Sequence, residues 1–212
     1  MAVARGMFAG LVLATGLWVS TVQAQSLPKI EEFYFDTDAA AAPVVVIAPD
    51  SANLLDQLMK QRERGRKVVE ATTQLAGLAM SQGRHDLGRT LYSEAMGAST
   101  TSSTLGRSVR WNYAWDLYRT GDAEAALREW AGAHATLRSN PGWIPPTYAL
   151  ALWTLGRRDE AVQWFAAAVR TEPQLWSNPD NFARLLPDWR EEERATLQQV
   201  HQAWVQNPPR WP

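Results

Sequence analysis

Gly156-Arg157-Arg158-Asp159-Glu160-Ala161-Val162-Gln163-Trp164-Phe165-Ala166-Ala167-Ala168-Val169-Arg170-Thr171-Glu172-Pro173 is the stretch that decides the fold. Acids stand where a helix would start, Ala161 and Phe165 lie four residues apart on one helical face, and Pro173 closes the segment. An upstream segment, Gly121-Asp122-Ala123-Glu124-Ala125-Ala126-Leu127-Arg128-Glu129-Trp130-Ala131-Gly132-Ala133, carries the same pattern. Glycine recurs after 35 residues, from 121 to 156, and the small residue recurs by the same 35, from Ala126 to Ala161. Two copies in phase mark an internal repeat.

A weaker third copy comes earlier. In Gly83-Arg84-His85-Asp86-Leu87-Gly88-Arg89-Thr90-Leu91-Tyr92-Ser93-Glu94-Ala95, the residues Gly88, Tyr92 and Ala95 stand where Ala126, Trp130 and Ala133 stand in the next unit. The offset between these two glycines is 38 residues, so the Ser/Thr cluster at 99–104 has to absorb the excess in a turn or cap. The units then span 69–102, 107–140 and 142–175. Each first half holds a large-then-small pair, Leu75-Ala76, Tyr113-Ala114 and Tyr148-Ala149. A small residue there lets two helices of one unit approach closely, while the large one fills the space between units.

Ala161-x3-Phe165 with Pro173 eight residues on, in units of about 34 residues, resembles the tetratricopeptide repeat. The resemblance covers about half of the chain. It implies an all-α fold, an α-solenoid of about three helix hairpins with flanking capping helices, in which the first helix of each hairpin lines a concave groove. It further implies that the groove face carries Trp111, Asn112, Trp115, Tyr118 and Arg119 in the second unit. In the third it carries Pro146, Thr147, Leu150, Trp153 and Thr154, and in the first Thr73, Gln74, Gly77, Met80 and Ser81.

Tryptophan is the compositional outlier, with 11 in 212 residues. Trp111, Trp115 and Tyr118 recur at i, i+4 and i+7, a stripe that Tyr113 and Leu117 do not share. Exposed aromatics are favoured interface anchors. The partner-binding residues expected from this are Trp111, Asn112, Trp115, Tyr118, Arg119 and Trp153, and the expected partner is an unidentified protein or peptide, taken as an extended segment or helix. A binding protein for glycan or cell wall, with rings stacked on sugar faces, is the alternative.

The flanks carry other signals. Residues 1–24, with Arg5 as the only charge, an apolar run from Met7 to Val19 and Val22-Gln23-Ala24 at the end, read as a signal peptide cleaved after Ala24. Export to a periplasm, with no membrane insertion once the signal is removed, follows as an expectation. Residues 25–50 hold prolines 28, 43 and 49 and no helical period, and are expected to form a poorly ordered arm that displays apolar residues, or docks on a partner or in the chain's own groove. A leading helix is expected over 51–68, capped by Ser51, and a basic run at 60–67 reads as its solvated face. A capping segment over 176–207 ends in a helix that begins at Asp188, before a tail at 208–212.

Chemistry is sparse. No cysteine is present, which excludes a thiol nucleophile, a zinc-thiolate site and an acylated N-terminal cysteine. His85, His134 and His201 sit on separate helices without a second ligand at i+4, so neither a metal, a cofactor nor a catalytic residue is expected. A formal charge of −1 gives nucleic acid no footprint.

Overall fold

The computed structural model describes residues 26–210; residues 1–25, which hold the expected signal peptide, and 211–212 lie outside the described residues. Ten α-helices form the fold, with no strand among the described residues. They are α1 (Leu54–Arg64), α2 (Val68–Ser81), α3 (His85–Gly97), α4 (Thr104–Arg119), α5 (Ala123–His134), α6 (Ile144–Thr154), α7 (Arg158–Thr171), α8 (Pro173–Trp176), α9 (Phe182–Leu185) and α10 (Glu191–Gln206). The densest packing is between α2 and α3, α4 and α5, and α6 and α7. Each hairpin corresponds to one of the three units marked by the repeat, α2 starting one residue and α4 three residues before the expected unit boundary.

The hairpin turns follow from one glycine each. Gly83, Gly121 and Gly156 have φ of 76°, 91° and 75°, in the left-handed region. In every case the glycine N–H bonds three residues back and the next N–H bonds five back, as in Arg84 to Ala79, Asp122 to Leu117 and Arg157 to Leu152. This pair of bonds satisfies the last carbonyls of the first helix and turns the chain into the second. A Cβ on Gly121 would meet nothing within 4 Å, so the cost of adding one is conformational alone. Gly121→Ala is therefore expected to destabilise the fold by about 1–2 kcal/mol, measured by urea unfolding.

The small residues hold the helices close. Ala76, Ala114, Ala126, Ala149 and Ala161 are fully buried, and large rings fill the space around them. Tyr148 meets Trp164 edge to face at 4.7 Å between centroids, and Tyr92 stacks on Tyr113 at 4.4 Å. Successive hairpins are not equally spaced. α2 packs on α4, whereas α4 and α6 make little direct contact. That opening is where the candidate site forms.

The helix starts differ from two sequence-based expectations. Ser51 does not cap α1; Asn53 takes that place in a left-handed conformation (φ 56°). α10 begins at Glu191, not Asp188, and Glu193 accepts the Arg190 N–H at 2.7 Å. The Ser/Thr cluster does cap α4, with the Ser103 hydroxyl accepting from Gly106 N–H at 3.0 Å. α10 packs on both α6 and α7, covering the last hairpin.

Candidate functional site

Residues 26–53 contain no helix, yet their backbone is bound closely to the helices. Asn112 and Gln74 occupy the same position in units two and one. The Asn112 amide accepts from Val44 N–H at 3.0 Å and donates to Ala42 C=O at 3.0 Å. The Gln74 amide accepts from Val46 and Ile47 N–H at 2.7 and 3.0 Å and donates to Ile47 C=O at 2.6 Å. A carboxamide carries both a donor and an acceptor, so it can pair with a peptide backbone whatever the side chains are.

The arm is anchored again toward its start. Tyr34 is buried and its N–H donates to Thr171 Oγ1 at 3.1 Å, while Asp36 pairs with the segment before α6 through Asp36 N–H to Asn140 C=O and Gly142 N–H to Asp36 C=O, both 3.1 Å. Asp38 faces Arg107 at 3.6 Å. The arm thus runs from the third hairpin to the first. Of the arrangements open to it from sequence, the structure describes docking on the chain's own helices. Gln74→Ala is expected to speed hydrogen exchange at Val46 and Ile47 while leaving the Tyr34 amide protected, since the two anchors are independent.

A second segment closes the α4 face from the other side. After α9 the chain turns back over α4, and Trp189 meets Trp115 at 5.1 Å in an edge-to-face contact. Arg119 forks onto Glu193 at 2.8 and 3.2 Å, donates to Asp188 C=O at 3.2 Å, and lies 4.9 Å from the centre of the Trp115 ring. Between this segment and the arm lies a cavity of about 390 Å³. Trp111, Trp115, Trp143, Trp176 and Trp189 form its walls, with Ala41 and Pro43 of the arm along one side. Its size falls at the small end of the range for ligand pockets.

The polar groups around the cavity are incompletely paired. Asp116 accepts from the Tyr92 hydroxyl through Oδ2 at 2.5 Å, and its other carboxylate oxygen makes no hydrogen bond among the described residues. Burial pushes the Asp116 carboxyl above its usual pKa, against the opposing pull of the Tyr92 hydroxyl, Arg119 and Arg190. Thr147 stands in unit three where Asn112 and Gln74 stand in units two and one, and its hydroxyl makes no hydrogen bond among the described residues either. The indole N–H groups of Trp111, Trp115 and Trp143 are buried without a partner. The indole N–H of Trp130 in the core is unpaired as well, so this state is shared by packing and cavity tryptophans.

The six residues expected from sequence part company here. Trp111, Asn112, Trp115 and Arg119 come together at the cavity. Trp115 is 4 % exposed, so it forms the floor between Trp130 and Trp189 and offers little free surface. Tyr118 instead bonds the Thr154 hydroxyl at 2.9 Å. Trp153 lies against α10, its N–H donating to Gln199 at 3.1 Å with the Arg158 guanidinium 3.7 Å from its ring centre. Trp143, Trp176 and Trp189 join the site only through the fold. Their abundance was visible in the composition, but no period connects them with α4.

Two of the three histidines are accounted for by packing, His134 meeting the Tyr148 hydroxyl at 3.2 Å and His201 meeting Ser177 C=O at 2.9 Å, and His85 is exposed. No group of three acidic, histidine or cysteine side chains is placed to hold a metal among the described residues, and none of the described helices is long and apolar enough to cross a membrane. No family model, curated protein or solved structure matches this chain.

Proposed function

We propose that this chain is a tetratricopeptide-type solenoid that binds an extended segment of another protein along α2, α4 and α6, and that it works in the periplasm after removal of residues 1–24. One observation carries this reading. The equivalent amides of Gln74 and Asn112 hold the backbone of residues 42–47 by five hydrogen bonds, in the manner an incoming peptide would be held. Backbone pairing supplies affinity without sequence preference, and adjoining pockets supply the preference. The arm is then a tethered occupant that a partner segment displaces. Tethering gives the arm an effective concentration in the millimolar range, so a partner must bind more tightly than the arm or meet it already detached.

The test is crosslinking in the cell envelope from a photoreactive residue at position 112 of the full-length chain, with and without Gln74→Ala. Adducts to a peptide of a second protein are expected, and Gln74→Ala is expected to increase them by loosening the arm. Adducts confined to residues 42–44 of the same chain would sink the proposal. Capture of glycan alone would favour the carbohydrate reading.

A further inference from the structure

We propose that the tryptophan-walled cavity takes a cationic side chain, arginine or lysine, presented by the extended segment that replaces the arm. The inference rests on the peptide-binding reading and adds a preference to it. Two features of the cavity select a cation.

The first is an excess of carboxylates over cations, three against the single Arg119 in the lining. Asp116 brings a carboxylate oxygen without a hydrogen-bond partner to the wall, and Glu172 and Asp188 stand at the cavity without an ion pair among the described residues. The two arginines whose charges reach Asp116 already have carboxylates of their own. Arg119 is forked by Glu193, and Arg190 lies 3.8 Å from Glu192. An anionic guest would be repelled. A purely apolar one would bury the free Asp116 oxygen without a donor, which is costly.

The second is the aromatic wall. A guanidinium or ammonium within about 6 Å of an indole face is attracted by the ring quadrupole, more so where water is excluded. The molecule already uses this contact twice, with Arg119 on Trp115 and Arg158 on Trp153. A guest cation would face Trp111, Trp143 and Trp189 in the same way.

Register identifies which guest residue enters. Ala41 and Pro43 line the cavity, Ala41 half-buried and Pro43 exposed, while Ala42 between them is exposed and is gripped through its carbonyl by Asn112, so Ala41 is the more enclosed of the two cavity-lining positions. A segment held by Asn112 in the same register therefore directs the side chain at the position of Ala41 into the cavity. The arm offers a methyl group there and leaves the space unfilled. Its small side chain is what makes the arm a replaceable occupant.

The test uses the full-length chain with the arm as its own probe. Ala41→Arg, Ala41→Leu and Ala41→Glu are compared by thermal unfolding, each alone and combined with Asp116→Asn. Ala41→Arg is expected to exceed Ala41→Leu in Tm by about 2–4 °C, Ala41→Glu to be lowest, and the arginine advantage to shrink with Asp116→Asn. Leucine equal to or better than arginine, or an arginine advantage indifferent to Asp116→Asn, would overturn the cation preference. Hydrogen exchange at Val44 is read on the same variants, and free exchange there in Ala41→Arg would also overturn it, because the arm would have left the cavity. A failed rank order alongside intermolecular adducts from position 112 removes the cation pocket only. A rank order that holds without such adducts removes the partner reading and leaves the pocket's preference intact.

Discussion

Trp115→Ala is expected to lower the free energy of unfolding by about 3–5 kcal/mol, the usual cost of emptying a large aromatic site in a core. The reason is its place between three layers. It meets Trp111 at 5.9 Å, Trp130 at 5.1 Å and Trp189 at 5.1 Å, and the Arg119 guanidinium lies over its face. Removing the ring leaves a void that joins the cavity already present, and deprives Trp189 of the contact that seats the C-terminal segment on α4. Urea unfolding beside Trp130→Ala measures it. A loss under about 1 kcal/mol would mean that Trp115 is surface after all, contrary to its burial.

Arg119→Ala is expected to cost about 3–5 kcal/mol by a different route. Glu193 has a side chain only 2 % exposed, and Arg119 is its sole ion-pair partner among the described residues. Without the guanidinium, a buried carboxylate is left with the Arg190 N–H and no counter-charge, and the loss from breaking such a pair exceeds what the intact pair contributes. The double change Arg119→Met with Glu193→Gln removes both charges and is expected to be less harmful than Arg119→Ala alone. A double variant as unstable as the single one would show that the damage comes from lost packing. Because the pair joins α4 to α10 across 74 residues, hydrogen exchange in α10 is expected to rise with Arg119→Ala.

The helices were legible because their signals are local. Ala161 and Phe165 share a face by virtue of the 3.6-residue period alone, and the recurrence of glycine from 121 to 156 marks the repeat, although the left-handed turns these glycines make are seen only in the structure. The large-then-small pairs announced which residues would be buried, and Ala76, Ala114 and Ala149 are all fully buried. Helix starts were less legible. Asp188 and Ser51 have capping chemistry, but the chain before each helix is positioned by tertiary contacts: Trp189 is held against Trp115, so α10 starts after it.

The candidate site was legible by half. Asn112, Trp111, Trp115 and Arg119 come together at the cavity because the repeat register gives one face of α4 a common direction. What closes that face was not legible. The contacts that seat the arm join Tyr34 to Thr171 across 137 residues and Val44 to Asn112 across 68. No periodicity in residues 26–53 encodes them, since a backbone held by carboxamides needs no particular side chains of its own.

By itself, the sequence determined the all-helical class and the division into three helix pairs, because period and propensity act within a few residues. Only the tertiary structure decided that α4 and α6 would diverge, that the arm and residues 185–193 would fold over the gap, and that Trp111, Trp143 and Trp189 would wall a cavity there. Those outcomes depend on which long-range pairings bury the most apolar surface while satisfying the backbone, and that balance is struck over the whole molecule.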